Sequence, residues 1–249
     1  MPTRVLASAD APSTEGGRPD VSESSRGVER YAIDGVVIVL GVLIALAADA
    51  AWDYRVDRAD ERVALRQLDA EFRANASQLD SVATGHRLGL DAAAILLDAV
   101  RGETALSADS MRNLVRALDV AWTFNPKLAA LESVTQSGRL GLIRDDSLRV
   151  ELVGWPGTVD DLKEDELFAA DYAYSTQFDA FSSALNWGDI YGPGHEQASR
   201  PMHIVGNDTL ESVLAYRYSW FEAVLIELAL VEAALSRVRA LLDANLSTG

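Results

Sequence analysis

The chain contains no cysteine, so it has no disulfide, no thiolate to offer a metal and no thiol nucleophile. Lysine is almost as scarce: of 22 basic residues only Lys127 and Lys163 are lysine, and the others are arginine. Positive charge is outnumbered by 38 acidic residues, which sets a formal net charge of −16. A phosphate backbone attracts a basic face, so nucleic acid is not an expected partner. No His-Glu-x-x-His pattern, Gly-x-Ser-x-Gly turn, phosphate-binding loop or dinucleotide fingerprint occurs. The sequence therefore points to no reaction, and it assigns no catalytic, cofactor-binding or metal-binding residue.

What the chain has is apolar mass. Its 249 residues are 49% hydrophobic, enough for one packed domain and an anchor, and too much for a mainly disordered protein. Residues 1–30 are the exception. They are rich in Ser, Gly, Pro and charge, and read as a tail that is flexible or becomes ordered against a partner.

Residues 31–53 read as a transmembrane helix. The uncharged core Gly35–Ala48 is 14 residues, which at ~1.5 Å per residue is shorter than the ~30 Å hydrocarbon layer. Extension to Tyr31 and Trp52 closes the gap, adds interfacial aromatics and leaves Asp34 and Asp49 near the two boundaries. Ala45-Leu46-Ala47 also fits a signal-peptide cleavage site, and a cleaved leader and a buried soluble helix are the two competing readings. Arg18, Arg26 and Arg30 balance Arg55, Arg58, Arg62 and Arg66, so the positive-inside count does not orient the segment. Because long domains translocate largely regardless of charge, the expected arrangement is a bacterial inner-membrane protein with its main domain in the periplasm.

Residues 54–249 read as a helical bundle. Leu65, Leu68, Phe72, Leu79 and Val82 follow helical spacing, so the anchor helix is expected to continue into the domain until Gly85 or Gly89 ends or bends it. Leu90–Val100 follows, closed by Gly102, and then Ser110–Trp122, capped by Ser107 or Asp109. A short helix is expected from Asn125-Pro126 to Gly138, and another from Asp145 or Asp146 to Gly154. Thr158 opens a helix to about Leu185. In the last helix, Asp208–Leu246, Leu214, Phe221, Leu228, Leu235 and Leu242 recur every seven residues, which is a bundle seam. The expected fold is all-α: a single transmembrane helix running into a helical bundle with a long C-terminal helix.

Two places suggest contact with partners. In the anchor, Gly41, Ala45 and Asp49 are four apart, and small residues at that spacing let another helix approach. Residues 186–206 form the longest irregular stretch, where Trp187, Tyr191 and His195 offer the aromatic anchors common at interfaces. Zinc chemistry at His195, Glu196 and His203 is possible in principle but has no supporting spacing. Asp160, Asp161, Glu164, Asp165 and Glu166 read as a solvated acidic helix start, and His86 as a surface residue.

The segment RYAIDGVVIVLGVLIALAADAAWDYRVDRADER resembles the opening of an uncharacterised family of bacterial single-pass membrane proteins, whose members begin Tyr-Ala-Ile-Gly-Glu before an apolar run and a Trp. LAALESVTQSGRLGLIRDDSLRVELVGW, residues 128–155, is similar to a second segment of that family. Asp34 stands where the family prefers Gly, and Ala48-Asp49 replaces a Gln-Val-Asn-type turn. The resemblance implies an anchor and a helical domain and supplies no activity. Together these features favour a non-catalytic accessory or scaffold subunit of a larger inner-membrane assembly, with the lipid bilayer and other membrane-protein subunits as partners. A sensory or ligand-binding helical domain on the same anchor is the alternative.

Overall fold

The computed structural model describes residues 21–194 and 204–247, with side chains from residue 35 onward. Among these residues all regular secondary structure is helical, and the chain divides into two compact units, Met1–Val56 and Asp57–Gly249.

Helix α1 (Val21–Val100) is one helix of 80 residues. Residues 21–30, expected as part of a loose tail, belong to it; residues 1–20 lie outside the described residues. Adding turns to an existing helix avoids the nucleation cost that would defeat the same polar sequence alone. In the first unit, every large apolar side chain from Val36 to Leu46 is more than half exposed. The helix is long and apolar enough there to cross a membrane.

In the second unit α1 does not break at Gly85 or Gly89. Both glycines are sites of close approach instead. A Cβ at Gly85 would lie 2.3 Å from the Trp122 indole, and one at Gly89 would lie 2.4 Å from the Phe221 ring. The buried face of α1 runs Glu61, Leu65, Leu68, Phe72, Asn75, Leu79, Val82, His86, stepping alternately by four and three.

Gly102, at φ +79°, turns the chain after α1, and Ser107 caps α2 (Ala108–Asp119) by accepting from the Ser110 N–H. The next nine residues, 120–128, form a strap without regular secondary structure. Helix α3 (Ala129–Gln136) begins beyond Asn125-Pro126, because Asn75 holds both the N–H and the C=O of Lys127, at 2.8 and 2.9 Å, in the strap. Gly138 then turns the chain at φ +72°, as expected of a helix-ending glycine.

Helix α4 (Asp146–Tyr172), capped by Asp145, runs straight through Gly154, Pro156 and Gly157, where a break was expected. An internal proline costs ~3 kcal/mol. Trp155 offsets it: the indole is buried against Phe72 and Phe124, at centroid distances of 5.2 and 6.4 Å. A π turn at Ala173–Gln177 leads directly into α5 (Phe178–Ala184). Helix α6 (Trp187–Tyr191) is a short turn, and α7 (Asp208–Ser247) matches the expected last helix.

Helix α7 lies antiparallel to α1, pinned by Arg73–Asp243 at 3.1 Å and Arg101–Glu211 at 2.8 Å. Its heptad residues Leu214, Phe221, Leu228, Leu235 and Leu242 are all buried, as the repeat requires. One core cluster joins α1, α4 and α7 around Phe72, Trp155 and Leu228. The second lies around Leu96, Leu118, Phe181 and Leu214.

Two substitutions test this packing by chemical denaturation of the full chain in mild detergent. Leu228→Ala should cost roughly 2–5 kcal/mol. Gly89→Ala should gain up to ~1 kcal/mol in helix propensity yet destabilise by about 1–3 kcal/mol overall, because Phe221 is 1% exposed and cannot retreat. A stabilised Gly89→Ala would show that the ring does not rest on the glycine.

Candidate functional site

Six buried polar side chains of the second unit bind the backbone of residues 118–144. His86 Nε2 lies 3.1 Å from the Trp122 carbonyl. Glu166 accepts the Phe124 N–H on both carboxylate oxygens at 2.9 Å. Asn75 pairs with Lys127, and Glu71 accepts from the Ala130 and Leu131 N–H groups, at 2.6 and 3.1 Å. Glu61 accepts the Arg144 N–H at 3.0 Å, and Gln177 donates to the Leu118 carbonyl at 3.4 Å. Glu71 thereby caps α3 from another helix, since Leu128 at its N-terminus provides no side-chain cap.

Two of these residues depart from the sequence expectation. His86, expected at the surface, is 3% exposed; Glu166, expected in a solvated acidic helix start, is 2% exposed and lies well inside α4. Burial pushes the Glu166 carboxyl up to about 7, against the pull of the Phe124 N–H. Burial pushes the His86 imidazole down to about 4; the Trp122 carbonyl opposes this and the Arg217 charge adds to it. Arg217 is itself 1% exposed. It donates to the Ala169 carbonyl at 2.9 Å and lies over the Phe221 ring at 4.2 Å.

The anchor residues Gly41, Ala45 and Asp49 lie on one continuous stretch of α1 and are exposed, with nothing within 4 Å of a Cβ at Gly41. The stretch 186–206, expected to be irregular, opens with α6, where the Asn186 side chain accepts from the Gly188 N–H. Trp187 is half-buried, stacked on Phe178 at 5.2 Å and Tyr191 at 6.0 Å, and its Nε1 donates to Ser182 Oγ. The Tyr191 ring is exposed, but its hydroxyl donates to Asp119 at 2.9 Å and Arg116 lies over its face at 5.4 Å. Burial and then Asp119 push that phenol up to about 12. His195, Glu196 and His203 lie outside the described residues.

A crevice of about 220 Å³ opens between α1 and α7. Leu79, Ala83, Leu228 and Leu235 form its apolar lining, and Asp80, Arg87, Glu232 and Arg239 supply charges of both signs. None of the four charged residues stood out in the sequence. Asp80 and Arg87 on α1, and Glu232 and Arg239 on α7, repeat one signal: an acid followed seven residues later by an arginine.

The described residues thus define an all-α fold, with one helix among them of membrane-spanning length and apolarity. No family model, curated protein or solved structure matches the chain.

Glu166 and His86 make opposite contributions to stability with pH. The folded state holds the Glu166 proton between about pH 4.5 and 7, where the unfolded chain releases it, so stability falls as pH rises through that window. The folded state refuses the His86 proton between about pH 4 and 6.5, so that contribution grows as pH rises. The two nearly cancel over the shared range. Glu166→Gln keeps an oxygen for the Phe124 N–H and removes one slope. Its stability relative to wild type should rise from pH 4.5 to 7, by up to ~1.4 kcal/mol per unit. Denaturant titrations at each pH check this, and a difference flat with pH would mean that Glu166 is ionised throughout.

Proposed function

We propose that this chain is a non-catalytic, membrane-anchored accessory subunit, with α1 holding a helical domain against a larger bacterial inner-membrane assembly. The observation that carries the reading is the exposed apolar run Val36–Leu46, set beside a second unit that buries its own two cores. An apolar surface of that extent needs lipid or other helices around it. The positions proposed for helix contact are Gly41, Ala45 and Asp49, where the open space at Gly41 gives a neighbouring backbone room. On the second unit, exposed Phe178 and Tyr191 stack on Trp187 as an aromatic ledge, suited to a protein partner, and His195 follows it in sequence. The resemblance of residues 30–62 to single-pass membrane proteins agrees with this reading, which puts the helical domain in the periplasm.

Purification from native membranes in mild detergent should recover the chain with other membrane proteins. Gly41→Leu should weaken that association while circular dichroism stays that of wild type, and Tyr191→Ala should weaken a separate contact. A wild-type chain that emerges alone from several detergents and from native membranes would overturn the subunit reading. A mature protein beginning near Ala48, found by mass spectrometry, would replace the anchor with a cleaved leader.

A further inference from the structure

The crevice between α1 and α7 gathers two acids and two arginines around an apolar floor. Asp80, Arg87, Glu232 and Arg239 all line it, yet none makes an ion pair with another side chain among the described residues. Arg239 goes further: its Nε is buried with no acceptor. With Nε shielded, the Nη groups of half-buried Arg239 are the donors left for an anionic oxygen, and Asp80, Arg87 and Glu232 are exposed beside it.

The antiparallel register fixes the order of the charges. With Arg73 opposite Asp243 and Arg101 opposite Glu211, Asp80 falls about level with residue 235. Asp80 and Glu232 therefore lie within about one turn, ~5 Å, of each other along the axis. Each arginine lies two turns, ~10 Å, from the acid on its own helix, at opposite ends of the crevice. Two carboxylates occupy the middle, and a guanidinium stands at each end.

The geometry points to a binding site for one small zwitterion, an α-amino acid with an aliphatic side chain. Its ammonium sits between Asp80 and Glu232, and its carboxylate meets the Arg239 fork, which suits planar oxygen pairs. Its side chain rests on Leu79, Leu228 and Leu235. The volume agrees: 220 Å³ exceeds the ~150 Å³ that holds a benzene and falls short of the ~300 Å³ of the smallest drug-sized pockets. An inorganic anion would face two carboxylates, and a dication two guanidiniums. An uncharged ligand would pair none of the four charges. The site stands whether or not the chain is an accessory subunit.

Calorimetric titration of the full chain in mild detergent tests it with L-leucine, N-acetyl-L-leucine and L-leucinamide. Leucine should bind once per chain. The acetylated compound, without an ammonium, and the amide, without a carboxylate, should each bind roughly tenfold or more weakly. Asp80→Asn combined with Glu232→Gln should erase the preference over N-acetyl-leucine. Arg239→Gln should erase the preference over leucinamide. Because each variant is read by its discrimination between ligands, a uniform loss of folded protein cannot imitate the result. No binding of leucine, valine or isoleucine by wild type would overturn the site, as would equal affinity for all three leucine compounds. Unchanged discrimination in both variants would place the ligand elsewhere and overturn it too.

Discussion

Peptide groups that cross a helical bundle without helical partners must find hydrogen bonds inside it, and most of this structure follows from that demand. The segment 118–144 is only partly helical, and a buried, unpaired N–H or C=O would cost about 1–3 kcal/mol each. Six side chains meet the demand. Four come from α1 in descending order, His86, Asn75, Glu71 and Glu61, so the segment runs antiparallel along that helix. Glu166 and Gln177 hold it from the other side. Trp155 and Phe124 then seal the space beneath.

Burying carboxylates and an imidazole is expensive, and the structure limits the cost in two ways. Each group meets backbone dipoles, and the two groups most affected lean toward their uncharged forms: Glu166 toward its neutral acid and His86 toward its neutral base. In return these residues set position. Glu61, Asn75 and His86 replace apolar residues at seam positions of α1, and such polar substitutions select one register among several that hydrophobic packing would accept.

The sequence displayed the helices better than their ends. The heptads of α7 and the Gly138 turn were legible because they depend on local spacing and on one residue's backbone freedom. The passage of α4 through Pro156 was not, since it depends on a tryptophan whose pocket is assembled from α1 and the strap. Gly85 and Gly89 looked like breakers because the rings that lie on them, from Trp122 and Phe221, are distant in sequence. A signal for the buried polar residues was available. Glu61, Asn75 and His86 continue the four-three stepping of Leu65, Leu68, Phe72, Leu79 and Val82, and Arg217 and Glu166 fit the seams of α7 and α4 in the same way. Tracing only the apolar members of a seam hides its polar ones. The crevice charges were hidden for another reason: each helix shows an ordinary acid and arginine, and only the antiparallel pairing sets them together.

The placement of the strap has a consequence for how the chain is made. Glu61, Glu71, Asn75 and His86 all precede the backbone groups they bind, and the last of those, Arg144, is reached before α4 begins. The first 144 residues therefore carry both halves of these four attachments while the remainder is still being synthesised. Helix α7 is synthesised after all of these, and its pairings reach back 110 residues to Arg101 and 170 to Arg73. Its arrival is the late, long-range step, the kind that costs most in loop closure and leaves apolar surface waiting. Until then Leu65, Leu79 and Phe72 lack part of their cover, so the interval before α7 docks is when this protein is most open to aggregation and to chaperones.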